Sequence, residues 1–203
     1  AYRREAGRAG NRVTQYNLGV VRSSRAAVWR RPAPNWGWIM PMVPFVEKFP
    51  VLGVRETRTA AVTGRRDLPD GEYGFFECYC NEPGCDCRRV MILVLRPETG
   101  WSKTWASFSY GWESPEFYRK WVPLMKPAEL EGPFLDPLNP QTALSGPLLE
   151  LFRFLLESPE YADRLRRHYR MFRDAVEAGH GAAAKAAREV RRRRPERRRK
   201  RRR

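Results

Sequence analysis

The chemistry in this chain is concentrated in one short run, Cys78-Tyr79-Cys80-Asn81-Glu82-Pro83-Gly84-Cys85-Asp86-Cys87, which holds all 4 of its cysteines. Side chains at i and i+2 of a strand point the same way, so each Cys-x-Cys pair presents two thiols to one face. The Asn-Glu-Pro-Gly turn then folds one pair back toward the other. Four thiolates converging in this way approach the tetrahedral set that zinc prefers, with sulfur at roughly 2.3 Å. Cys78, Cys80, Cys85 and Cys87 are therefore the candidate metal ligands, with Zn2+ the first choice. An iron–sulfur cluster, or a site built from three of these thiols, is the alternative. Unliganded reduced cysteines or disulfides are the remaining reading, although secreted disulfide frameworks spread their cysteines along the chain. A catalytic zinc would need an open position and a nearby acid or base, and the deaminase signature His-x-Glu with Pro-Cys-x-x-Cys is absent.

Other catalytic constellations have little to draw on. The chain contains only 2 histidines, His168 and His180, which leaves Ser-His-Asp or Cys-His chemistry without support. His168 falls on an apolar helical face with Leu165 and Phe172 and reads as a packed residue. His180 sits between glycines in an apparent linker. An enzyme acting around Cys85, Asp86 and Arg88 is the least favoured reading.

The elements that position the cysteines follow from period and punctuation. Five prolines between Arg31 and Pro50 argue against regular structure there, and the aromatics among them read as a wrap over the domain surface. Val54 to Val62 alternates weakly. The turn at Leu68-Pro69-Asp70-Gly71 introduces a strand from Tyr73 to Cys80. Val90 to Leu95 is an apolar run of strand length, and Thr104 to Tyr110 alternates after the Pro97-Glu98-Thr99-Gly100 turn. Ser114-Pro115-Glu116 and Ser158-Pro159-Glu160 each open a helix, with a Ser cap, Pro at the first position and an acid in the first turn. Leu148, Leu151, Phe152, Leu155 and Leu156 share one helical face, as do Tyr161, Leu165, Phe172 and Val176 in the next segment. The predicted fold is α+β: an antiparallel β-meander carrying the cysteine knuckle at 78–87, then a C-terminal helical segment covering one sheet face.

Charge separates the chain into three parts. The net charge is +16, yet residues 1–35 carry +7 and residues 191–203 carry +10, which leaves the middle nearly neutral. Residues 1–35 read as a flexible basic arm, 36–178 as the domain, and 179–203 as an Ala/Arg-rich tail that is disordered alone. Arg191, Arg192, Arg193, Arg194, Arg197, Arg198, Arg199, Lys200, Arg201, Arg202 and Arg203 are the candidate nucleic-acid contacts. Arginine pairs bidentately with phosphate, and such contacts release counterions without reading bases, so the expected partner is RNA or DNA bound non-specifically. The arginines at 164, 166, 167, 170 and 173 read as a solvated helix face. Trp101, Trp105, Trp112 and Trp121, with Phe108 and Tyr110, read mainly as core. No run is long enough for a membrane span and no signal peptide is evident, so a cytoplasmic location is the default; an Arg-rich presequence is the alternative.

Tyr73-Gly74-Phe75-Phe76-Glu77, Tyr79-Cys80, and Glu82 through Val90, with Trp105-Ala106, Tyr110 to Glu113 and Phe117-Tyr118 downstream, resemble a family of uncharacterised bacterial proteins. Its members share a YC-x4-CDCRR motif, and some carry a C-terminal SEC-C zinc motif of the kind found on the protein-export ATPase. The resemblance spans roughly residues 45–178. It implies the fold and a metal site, and it supplies no activity. The chain departs from the pattern at Cys78, where an aromatic is equally familiar, and in ending on arginines. The sequence thus points to a non-enzymatic zinc-binding protein that contacts nucleic acid through basic tails. The alternative is a protein–protein interaction module whose knuckle and helices dock another protein.

Overall fold

A computed structural model describes residues 42–119, 132–139 and 141–193. Residues 1–41, which include the whole of the predicted basic arm, and Trp121 lie outside the described residues, as do Arg194 to Arg203.

A six-stranded antiparallel sheet organises the chain. Its strands are β1 (Met42–Pro44), β2 (Arg58–Val62), β3 (Gly71–Cys80), β4 (Arg89–Leu95), β5 (Ala106–Gly111) and β6 (Pro133–Leu135). The long β3 takes β4 along one edge and shares its other edge between two short strands. β2 pairs Gly71 to Phe75, and β1 pairs Cys78 to Cys80. The helices are α1 (Phe45–Lys48), α2 (Pro50–Glu56), α3 (Pro115–Arg119), α4 (Ser145–Leu156) and α5 (Pro159–Arg193). The α+β reading holds.

Alternation along β3 divides the apolar side chains between two faces. Tyr73, Phe75 and Tyr79 join Val90, Ile92, Val94 and Phe108 beneath α4 and α5. Phe152 of α4 lies 5.4 Å from the Phe108 ring and 6.0 Å from Phe75, and Phe172 of α5 lies 5.6 Å from Tyr79. The opposite face gathers Phe76, Cys78, Cys80, Met91, Leu93 and Leu95 into a second cluster. Both faces are apolar at β4, which is why Val90 to Leu95 reads as a continuous run.

Three local readings change. From Met42 to Glu56 the chain is regular: a strand and two short helices replace the expected irregular wrap, and Phe45 is core at 3% exposure. Each proline there sits where it costs little, since Pro44 closes β1 and Pro50 occupies the first turn of α2. The weakly alternating Val54 to Val62 divides into the end of α2 and β2. Finally, α5 runs straight through Gly179-His180-Gly181. Two glycines cost about 1 kcal/mol each relative to alanine, and the alanine-rich turns that follow tolerate that cost without a break.

Candidate metal centre

The cysteine knuckle forms where β3 leaves the sheet. Pairing between β3 and β4 ends at Cys78 opposite Met91, so Cys78 is still held inside the sheet between two neighbours. Cys80 lies beyond that last pair, and residues 81–88 form a loop before β4 begins at Arg89. The loop turns at Glu82 to Cys85, where the Cys85 amide donates to the Glu82 carbonyl at 3.3 Å and Gly84 adopts φ +71°. A side chain would strain that left-handed backbone.

Cys80, Cys85 and Cys87 converge, with their three sulfurs all within 4.8 Å of one another. Thiolates sharing one tetrahedral zinc sit about 3.8 Å apart, so the trio can hold a single metal ion. No fourth Cys, His, Asp or Glu joins the group among the described residues. Cys78, named from the sequence as a fourth ligand, is on the same sheet face but outside the trio, fully buried among Met42, Phe76, Met91 and Leu93. Residues two apart on a paired strand are nearly 7 Å apart. Two thiols on one face therefore meet a common ion only where the strand bends; Cys78 is paired on both edges, to Pro44 and to Met91, whereas Cys80 is paired on one alone, to Met42. The second Cys-x-Cys pair reaches the site from irregular loop rather than from a strand.

The trio's electrostatics favour one thiolate. Hydrogen bonding from Cys87 outweighs burial and holds the Cys80 thiol down at about 6, with help from the Glu82 backbone, Cys85 and the Arg173 charge. Cys87 and Cys85 are pushed up correspondingly, Cys87 by its contact with Cys80 and Cys85 first by burial. Burial, followed by the charges of Glu47 and Glu77, drives the Cys78 thiol far up and keeps it neutral.

One face of α5 clamps this loop. Tyr169, Arg173 and Glu177 recur every four residues and so line up along the helix. Arg173 donates to the carbonyls of Cys80 at 3.0 Å and Glu82 at 2.8 Å and pairs with Glu177, whose carboxylate accepts the Gly84 amide at 2.8 Å. The Tyr169 hydroxyl accepts the Arg88 amide at 3.2 Å. From the far side, the Tyr118 hydroxyl donates to the Arg88 carbonyl at 2.7 Å, and Arg88 reaches Asp86 and Glu113. Arg173 is therefore a buried support of the knuckle, at 9% exposure, and not part of a solvated arginine face. Its sequence neighbours Asp174 and Arg170 are exposed, which is what concealed it.

The register that lets α5 reach the loop is set one turn earlier. His168, 1% exposed, places Nδ1 2.7 Å from Glu77 of β3 and Nε2 3.0 Å from Glu56 of α2, and its ring stacks on Phe45 at 4.1 Å. Arg167 also pairs with Glu56. The Tyr79 hydroxyl lies 2.8 Å from Glu77 and 2.9 Å from the Leu165 carbonyl and shares its proton between them. The packed-residue reading of His168 is thus right in kind, but its two carboxylate partners lie far away in sequence and no local pattern marks them. A cavity of about 10 Å³ beside Glu77 and His168, lined also by Phe45, Gly53 and Thr57, is large enough for one water.

Glu56 gives this network a pH dependence. Burial raises its pKa, but His168 and then the Arg167 charge outweigh that and leave it below the ordinary 4.5. A depressed folded-state pKa contributes stability above 4.5 that is lost as pH falls through the folded value. Glu56→Gln should therefore flatten the acid limb of stability below about pH 4.5 while leaving its shape at neutral pH unchanged. Urea midpoints between pH 2.5 and 7 measure it, and an acid limb identical to that of the parent protein would contradict the assignment.

The tryptophans read as core are partly buried: Trp105 and Trp112 pack against the helix-side core and Trp101 against the second cluster. Of the basic tail, Arg191 to Arg193 fall within α5. No helix among the described residues is long and apolar enough to cross a membrane. No protein-family model, curated protein or solved structure matches this chain.

Proposed function

We propose that the chain is a zinc-knuckle α+β domain that contacts nucleic acid, without sequence preference, through the basic end of α5 and the arginine run beyond it. Zinc is favoured over an iron–sulfur cluster because the three sulfurs are close enough to share one ion, whereas thiolates around a multi-atom cluster stand further apart. Bound there, zinc would supply folding energy by fastening the end of β3 to the loop that α5 grips.

The observation that carries the nucleic-acid reading is the continuity of α5. The helix is anchored on the sheet as far as Val176, and Glu177 through Ala186 are exposed. From there to Arg193 it extends roughly 25 Å at 1.5 Å per residue. The helix thereby takes the chain as far as Arg193 beyond a nearly neutral domain, and charge presented there would engage phosphates.

Deletion of residues 191–203 is expected to lower affinity for any single strand or duplex at least tenfold at physiological salt. It should flatten the dependence on salt while preserving metal content and fold, because what remains is the +7 of residues 1–35 and a core near −1. Fluorescence anisotropy with unrelated oligonucleotides of equal length measures it. Failure of the intact protein to bind, or an unchanged salt slope after deletion, would overturn the reading. Recovery of a protein partner by the truncated chain after nuclease treatment would favour an interaction module instead.

A further inference from the structure

A second site lies at the other end of the α5–sheet contact. Arg58 opens β2 opposite Phe75, which places it on the helix-covered face, and Tyr161 and Arg164 stand one turn apart on α5. The Tyr161 ring, 2% exposed, carries both guanidinium groups over it: the central carbon of Arg164 is 4.9 Å from the ring centroid and that of Arg58 is 5.6 Å.

The donors of this group lack acceptors. Nε of Arg58, Nε and Nη2 of Arg164 and the Tyr161 hydroxyl are all buried without a hydrogen-bond partner among the described residues. Among the described residues neither arginine has a carboxylate partner, whereas Arg65, Arg88, Arg96, Arg153, Arg166, Arg167 and Arg173 each have one. Burial and then the Arg164 charge both disfavour the charged form of Arg58, so the two cations sense one another. Buried donors left unsatisfied are costly, and two like charges on one ring add to that cost. A group of this kind persists where something of opposite charge and several acceptor oxygens satisfies it. Both arginines are half-buried, so part of each residue reaches solvent although these donor atoms do not, and an anion engages them by a side-chain rotation.

We propose that Arg58, Tyr161 and Arg164 form a binding site for a tetrahedral oxyanion of the phosphate class, separate from the metal centre and from the basic end of α5. Guanidinium nitrogens donate to phosphate oxygens in charge-assisted bonds, and one bound anion relieves both the unfilled donors and the repulsion between the cations. The site bridges β2 to α5, so occupancy joins the sheet edge to the helix that holds the knuckle.

The test is titration of the full chain with inorganic phosphate at constant ionic strength, read by calorimetry and by the thermal midpoint, with chloride as the matched control. Saturable binding of one phosphate and a midpoint that rises in phosphate but not in chloride are expected. Arg58→Met and Arg164→Met should each weaken binding at least tenfold and abolish the phosphate-dependent rise, because each removes a charge-assisted pair. In chloride alone the same variants should melt no lower than the parent, since each removes a cation whose buried donors are unfilled and which repels its neighbour. Tyr161→Phe, which deletes only the hydroxyl, should retain the fold and weaken binding about fivefold. Absence of saturable phosphate binding, or binding that all three variants leave unchanged and which therefore resides in the basic segments, would overturn the assignment. An oligonucleotide arm identifies the phosphate's source: equal oligonucleotide affinity for parent and Arg164→Met assigns the site to a small phosphate, and a parallel loss assigns it to the nucleic-acid chain. Failure of the arginine-run deletion to alter nucleic-acid binding leaves this result unaffected.

Discussion

Cys87→Ser is expected to strip the metal from the protein and to destabilise it by more than about 4 kcal/mol, whereas Cys78→Ala retains the metal and costs only about 1–2 kcal/mol. The contrast follows from where the two sulfurs sit. Cys87 shares a cluster with Cys80 and Cys85, and a structural ion there would contribute directly to folding because the unfolded chain has no preformed site. Cys78 is a small apolar filler in the second sheet-face cluster, so its removal leaves a cavity and nothing more. Metal per chain by elemental mass spectrometry, with urea unfolding before and after chelation, reads both effects. Equal metal loss from the two variants would place Cys78 in the coordination sphere and contradict the trio.

Glu77→Leu should cost about 3–5 kcal/mol, the second largest effect expected from a single substitution. The leucine leaves His168 Nδ1 buried without its partner at 2.7 Å and removes one of the two acceptors near the Tyr79 hydroxyl. The double variant Glu77→Leu with His168→Leu should recover a substantial part of the loss, because replacing both partners by apolar groups leaves nothing buried and unsatisfied. Urea denaturation of the parent, both single variants and the double variant closes the cycle. A loss below about 1 kcal/mol for Glu77→Leu, or a double variant at least as destabilised as the sum of the singles, would contradict the view that these groups act as one unit.

How much of this was legible in the sequence depended on whether a feature is local. The strands at Tyr73 to Cys80 and Val90 to Leu95 and the helix opening at Ser158-Pro159-Glu160 are written in period and capping chemistry, and they appear nearly where those signals fall. The capping at Ser158 is direct: its hydroxyl receives the Tyr161 amide at 3.4 Å. Pairing order was not local. A two-residue spacing puts Cys78 and Cys80 on one face, but only the register, with Cys78 paired to both β1 and β4 and Cys80 to β1 alone, distinguishes the two thiols. The three-residue β6 is too short to carry a period, and it is recognisable only from its pairing with β5. Arg173, Glu77 and Glu56 were likewise hidden, since their partners lie 91 to 112 residues away. A charged residue amid other charges looks solvated until the fold supplies a carbonyl or an imidazole to meet it.

The knuckle, the clamp and the exposed end of α5 form one chain of cause. The ion would hold the loop after Cys80, Arg173 and Tyr169 join that loop to α5, and α5 continues to Arg193 from the point where that grip ends. The direct test of the first link is zinc K-edge X-ray absorption on the purified, zinc-loaded chain. Three sulfur neighbours at roughly 2.3 Å and one lighter oxygen or nitrogen neighbour are predicted, with the sulfur count falling in Cys87→Ser and constant in Cys78→Ala. Four sulfur neighbours in the parent protein, or a zinc environment without sulfur, would contradict the three-cysteine centre.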